Sequence, residues 1–251
     1  MVEPLEVMAA DWSAPHGVHA FTTWRAGGVS LPPYNSLNLG THVGDDPEAV
    51  AENRRRLWSE IQRQSPTMID VTWLTQVHGT RVAEPGPDLA EADALFTRSK
   101  GRALAVMTAD CLPVFLTAAD GSEIAVAHAG WRGLADGVIE AAVERFANKP
   151  ASILAHLGPA IGPTAFEVGE DVRAAFIARD SRHAGAFQRA PKRDDRKYWC
   201  NIYLLASQIL QSNGVTTVTG GKGCTYTQPD RYFSYRRNGP TGRMASIIWL
   251  D

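Results

Sequence analysis

The chain has 251 residues, a formal net charge of −2, and a composition that is 44% hydrophobic and 21% charged, enough apolar material for a large buried core. That balance gives no global basic field to gather nucleic acid or an anionic membrane surface. No stretch approaches the roughly 20 apolar residues needed to cross a bilayer.

The start, Met1-Val2-Glu3-Pro4-Leu5-Glu6, is acidic and lacks the basic-then-apolar pattern of a secretory signal. The three cysteines, Cys111, Cys200 and Cys224, are odd in number and too few for a disulfide framework in a chain this long. A reducing, cytoplasmic location is expected, where cysteine beside histidine more often binds metal or reacts than forms a bridge.

In chain order, apolar β-branched runs predict strands over 19–23, 71–74, 103–108, 114–117, 124–128, 153–157, 215–219 and 245–250. Asp46-Pro47 opens a first helix as cap and first-turn proline, with Val50, Leu57 and Ile61 on one face. A second helix is expected over 133–146, with Val138, Ala142 and Phe146 at helical spacing. Further helices are expected over 169–178 and 202–211, the last closed by Asn213-Gly214. Turn-rich loops fall at 25–33, 85–88 and 238–242, and none reads as a domain boundary. The links between some adjacent strands are too short for a parallel crossover. The expectation is one α+β domain over 1–251, with mixed β-sheets and helices packed outside them.

Three segments carry candidate chemistry: Thr75-Gln76-Val77-His78-Gly79, Thr108-Ala109-Asp110-Cys111-Leu112-Pro113 and Ala127-His128-Ala129-Gly130-Trp131-Arg132-Gly133. Cys111 and His128 each sit at the end of a predicted apolar strand, where a side chain is held by the sheet while its tip faces a cleft. One thiolate and two imidazoles suit zinc, leaving a fourth position for water or substrate. Taken singly, each histidine has a structural reading and Cys111 a core one. No His-x-His pair occurs among the seven histidines, so copper of the multicopper-oxidase kind is not expected. The nucleobase-deaminase signature of H-x-E with P-C-x-x-C is also missing.

The three segments closely resemble those of the bacterial laccase-domain family, also called polyphenol oxidases, peptidoglycan editing factors and purine nucleoside phosphorylases. The resemblance runs through Phe21-Thr22-Thr23-Trp24-Arg25-Ala26-Gly27-Gly28, Tyr34-Asn35-Ser36-Leu37-Asn38-Leu39-Gly40 and Glu52-Asn53-Arg54. It continues in Ala92-Asp93-Ala94, Leu157-Gly158-Pro159-Ala160-Ile161-Gly162-Pro163, Phe233-Ser234-Tyr235-Arg236-Arg237 and Thr241-Gly242-Arg243. It implies helices outside mixed sheets and one zinc ion per chain on His78, Cys111 and His128. The implied activity is phosphorolysis of adenosine, inosine, guanosine and methylthioadenosine, with adenosine deamination alongside. Where the family commonly has aspartate, this chain has Asn201; Asn serves as well if the residue only caps the helix that follows.

Phosphate is dianionic near neutrality and suits guanidinium groups and backbone N–H donors. Arg25 beside Gly27-Gly28, and Arg236 with Arg237 near Gly239, are the candidates. Asp93 and Asp110 would each orient a ligand imidazole, act as base, or simply shape a turn. Trp24 and Trp131 would stack on a purine or pack. Arg54-Arg55-Arg56 reads as a solvated helix face, with Asn53 and Arg54 anchoring a neighbouring loop; Gly220-Gly221-Lys222-Gly223 reads as a turn. Three alternatives stay open: a hydrolase with Cys111 as nucleophile and a histidine base, a peptidoglycan-precursor editing factor using the same site, and a non-enzymatic protein with structural zinc.

Overall fold

The structure, a computed structural model, describes residues 4–190 and 196–251; Met1-Val2-Glu3 of the acidic start lie outside them. Most of the expected elements are present. The chain builds a five-stranded and a six-stranded sheet, with smaller three- and two-stranded ones beside them. The first sheet runs in the order Val7–Ala9, Val18–Thr23, Met244–Leu250, Arg102–Thr108, Asp70–Thr72. The second runs Thr217–Gly220, Ile153–Leu157, Leu112–Ala118, Ile124–Ala129, Ala94–Thr97, Val82–Ala83. Both are mainly antiparallel, with parallel pairing only toward their edges.

The layers follow from period-two alternation along strands buried on both faces. Ile124 and Val126 point one way, packing with Leu104, Val106, Ile248 and Leu250 of the other sheet. Their neighbours Ala125, Ala127 and Ala129 point the other way, into a core shared with the helices. On the far side of the five-stranded sheet, Ala245, Ile247 and Trp249 face Leu57 and Ile61 of the helix Pro47–Gln64. The order is therefore helix, sheet, sheet, helix, the mixed α+β architecture expected. Among the described residues, no helix is long and apolar enough to cross a membrane.

Local signals account for the helix limits. The Asp46 side chain accepts from the Glu48 backbone N–H at 3.0 Å, and Asn201 caps the helix Ile202–Ser212 by accepting from Leu204 N–H at 3.0 Å. One expected helix differs. The 133–146 stretch forms two short helices, Trp131–Asp136 and Val138–Val143, because Gly137 takes a left-handed conformation at φ 110° and ends the first. The 71–74 run likewise divides: Asp70–Thr72 joins the five-stranded sheet and Leu74–Thr75 the two-stranded one.

Candidate metal centre

The chain leaves the five-stranded sheet at Thr108 and enters the six-stranded sheet at Leu112. Cys111 sits on that link. Asp110 before it has φ 100°, and His78 has φ 61°, a region that costs non-glycine residues energy and persists where surroundings over-determine it. For Asp110 those surroundings are visible. Its carboxylate accepts from the Thr225 hydroxyl at 2.6 Å and the Arg236 backbone N–H at 2.7 Å, and its carbonyl accepts from Ile161 N–H. Asp110 thus shapes the turn and ties the C-terminal loop to it.

His128 lies near the end of the strand Ile124–Ala129, paired with Pro113 in the neighbouring strand. That register places its ring beside Cys111. His78 arrives from the loop after Leu74–Thr75. The ligand atoms of His78, Cys111 and His128 all lie within 4.8 Å of one another. Cys111 Sγ is 4.0 Å from His78 Nε2, and the two imidazole rings meet edge-on at 4.8 Å between centroids. Among the described residues, this is the one such convergence of histidine, cysteine and carboxylate groups.

Asp93 organises the trio. It is fully buried, and its Oδ1 lies 2.8 Å from His128 Nδ1. The same carboxylate accepts from the backbone N–H groups of Val77, His78 and Gly79 at 3.1, 2.9 and 2.7 Å. Burial opposes its ionisation, but the His128 hydrogen bond and the backbone donors prevail and hold it below the usual carboxylate range. With Nδ1 engaged, His128 presents Nε2 to the centre. Burial raises the Cys111 thiol, yet the adjacent His128 and His78 outweigh burial and favour the thiolate, the form that binds metal.

The donor set and the space around it fit a metal ion. A Cβ at Gly130 would come 2.8 Å from His78 Cδ2 and 3.2 Å from Cys111 Sγ, so only glycine leaves the ligands where they are. His128 is buried, Cys111 half-buried and His78 exposed. One side of the centre is therefore open, as a catalytic site requires and a closed structural site does not.

The two arginines singled out from the sequence separate. Arg236 borders the hollow beside Cys111 and donates to the Glu167 carbonyl at 2.7 Å. Arg25 does not reach that hollow. Its Nε and Nη2 donate to the Asn35 carbonyl at 3.1 and 2.8 Å, and its Nη1 to the Pro229 carbonyl at 2.8 Å, with the guanidinium over the Phe233 ring. Trp131 lines the hollow, whereas Trp24 packs on Tyr232. Asn53 and Arg54 do anchor a loop: Asn53 bonds to Val29, Ser30, Ser36 and Asn38, and Arg54 to Leu39. The reading of Arg54 as solvated is corrected, since it lies half-buried over the Trp73 ring at 4.1 Å.

A thiolate and two imidazoles, open on one side at the junction of two stacked sheets, define a mixed-sheet protein able to hold a metal ion. Residues 18–251 match the family described as multi-copper polyphenol oxidoreductase laccase, and the chain belongs to that family. It is 50% identical over 248 residues to the purine nucleoside phosphorylase YfiH of Escherichia coli K12, covering 98% of this chain and 99% of that one. A purine nucleoside phosphorylase of Pseudomonas aeruginosa is 47% identical, with 97% and 98% of the two chains covered. Among solved structures, a Neisseria meningitidis protein at 45% identity superposes with a TM-score of 0.90 over 98% of this chain and 99% of that one. YlmD from Geobacillus stearothermophilus, at 29% identity, gives 0.83 over 94% and 92%.

Proposed function

We propose that this chain is a zinc-dependent purine nucleoside phosphorylase acting on adenosine, inosine, guanosine and methylthioadenosine, with adenosine deamination at the same centre. The observation that carries the reading is an aromatic-walled hollow opening directly onto Cys111. Trp131, Phe166 and Tyr235 supply flat faces, and Ile161 and Ile202 supply aliphatic ones. Its volume of about 200 Å³ is below the ~300–1,000 Å³ of drug-sized ligand pockets. It suits a planar heterocycle, leaving ribose and phosphate to lie toward the three ligands. The relatives named as purine nucleoside phosphorylases support the substrate class.

In phosphorolysis a phosphate oxygen bonds to the ribose C1′ as the glycosidic C–N bond breaks. The bonding pair departs on the purine, which gains a proton. The aromatic walls orient the base and exclude water, so that phosphate is the nucleophile. Arg236, held by its backbone N–H to Asp110 and with its guanidinium 5.4 Å over the Phe166 ring, closes the rim. His78, Cys111 and His128 would hold zinc, with Asp93 fixing the His128 tautomer; zinc so bound would supply Lewis acidity.

The test is chromatography of adenosine and inosine after incubation with zinc-loaded protein, with and without phosphate, beside Cys111→Ala. Phosphate-dependent release of adenine or hypoxanthine, lost in the variant, is expected, as is some inosine from adenosine. No base release from a folded, zinc-loaded protein would overturn the reading. A second reading, the Cys–His hydrolase, draws on the stabilised Cys111 thiolate. It requires activity that survives chelation and is abolished by alkylation of Cys111 in metal-free protein.

A further inference from the structure

Arg54 and Arg243, far apart in sequence, are brought together by one loop. Arg54 Nε and Nη2 donate to the Leu39 carbonyl at 3.0 and 2.9 Å, while Leu39 N–H donates to the Arg243 carbonyl at 3.2 Å. Asn38 Oδ1 accepts from the backbone N–H groups of both Gly40 and Arg243. A Cβ at Gly40 would stand 2.8 Å from Arg243 Cγ, so the loop lies flat on the arginine stem. Sheet register then sets the place. Met244 pairs with Thr108, which puts Arg243 alongside the link that carries Cys111.

Neither arginine has an acidic partner within ion-pair distance among the described residues. Arg243 spends only Nη1 on the Thr241 and Gly242 carbonyls, and among the described residues its Nε and Nη2 find no acceptor. Exposed His42 completes the group. Although the residue is solvent-accessible, partial desolvation of its imidazole, then the positive charges of Arg243, Arg54 and His128, hold it below the usual range. Burial also works against the Arg243 charge, opposed chiefly by Cys111 and Asp110. A guanidinium remains charged under such pressure. The result is positive charge gathered beside the centre with no carboxylate at ion-pair distance among the described residues, a costly arrangement for a protein to keep without a ligand.

We propose that Arg54, Arg243 and His42 form an oxyanion subsite beside the metal centre, one that seats inorganic phosphate and the phosphoryl group of the sugar phosphate it becomes. The identity of the anion rests on the phosphorylase reading; the subsite itself rests on two guanidinium groups without a carboxylate partner and on the open Nε and Nη2 of Arg243. It lies against the strand and loop flanking Cys111, and it adjoins the aromatic hollow at Tyr235, whose ring centroid is 6.0 Å from Arg243 Cζ. Base and phosphate are thereby assigned to adjoining parts of the centre.

The experiment measures KM for phosphate and for inosine, together with equilibrium dialysis of radiolabelled inorganic phosphate, on zinc-loaded wild type, Arg243→Gln and His42→Ala. Losing a charge-assisted hydrogen bond to phosphate raises its KM and dissociation constant by about tenfold in Arg243→Gln, and less in His42→Ala, while KM for inosine stays within about twofold. His42 makes no hydrogen bond among the described residues, so its removal leaves the fold intact and keeps the test decisive if Arg243→Gln misfolds. Wild type that binds no phosphate, or variants that bind it as tightly as wild type, overturn the subsite. Phosphate bound by wild type and lost in the variants, in a protein that releases no base, sinks the phosphorylase reading and leaves the subsite standing.

Discussion

Asp93 Oδ1 lies 2.8 Å from His128 Nδ1 and also accepts the backbone N–H of His78 at 2.9 Å. One buried carboxylate therefore holds two of the three residues that could ligate a metal. It fixes the ring of one and the main chain of the other.

Asp93→Asn is expected to weaken metal affinity by about 10–100-fold, the usual cost of losing a group that orients a ligating histidine. Its amide nitrogen would face N–H donors from Val77 and Gly79, or from His78 and His128 if flipped. Competition for zinc with a chromophoric chelator checks this. Affinity equal to wild type would show that the carboxylate does not organise the centre.

Gly130→Ala places a methyl against the His78 ring and the Cys111 sulfur. The expected outcome is reduced metal content with a modest loss of stability, about 1–3 kcal/mol for overpacking at a filled position. Metal analysis and thermal melts of the same preparation separate the two effects. Full zinc content with unchanged Tm would refute the steric argument.

His156 makes stability depend on acid. Burial, with some help from Lys222 and against the pull of Asp11, lowers its pKa from 6.5 to about 4. Between those values the unfolded chain takes up a proton that the folded one refuses. This contribution is therefore lost progressively as pH falls from about 6.5 toward 4, by roughly 3 kcal/mol in all. Below about 4 no more is lost from this group. Urea melts at pH 7 and 4.5 on wild type and His156→Gln test it: the variant should lose visibly less over that interval, and parallel losses would count against it.

Asn201→Ala removes the side-chain acceptor that caps the helix Ile202–Ser212, at an expected cost of about 1 kcal/mol. Asn201→Asp keeps the acceptor and should melt within a degree or two of wild type. A large drop in activity without loss of stability in Asn201→Ala would assign the residue a role beyond the cap.

Much of this was legible because the central strands are long, apolar and β-branched, and because both large sheets are buried on two faces. Runs such as 103–108 and 124–128 have no polar face to blur them. The edge strands Val82–Ala83, Ala90–Glu91 and Phe187–Arg189 are too short to carry a period and were invisible. Gly137 was hidden for the opposite reason: a continuous apolar pattern runs through it, and only its left-handed backbone reveals the break. The convergence of His78, Cys111 and His128 was readable from their motifs. The role of Asp93 was not separable from turn-making, since its partner His128 is 35 residues away. Arg54 was rightly read as a loop anchor but wrongly as solvated, because a run of three arginines on a helix resembles a solvated face, while Arg243 and His42 gain meaning only when the loop folds between them.

The strand Met244–Leu250 lies between Val18–Thr23 and Arg102–Thr108, at the middle of its sheet. It is synthesised after both neighbours, so each must wait with an unpaired edge until it arrives. Asp110, which steers Cys111, likewise waits for Thr225 and Arg236. His78, Cys111 and His128 all precede these residues in the chain, yet the centre they form is braced only once Thr225, Arg236 and this strand have been made. A chain cut short before this strand carries His78, Cys111 and His128 and no finished site, which ties any metal capture there to molecules whose central strand is already in place.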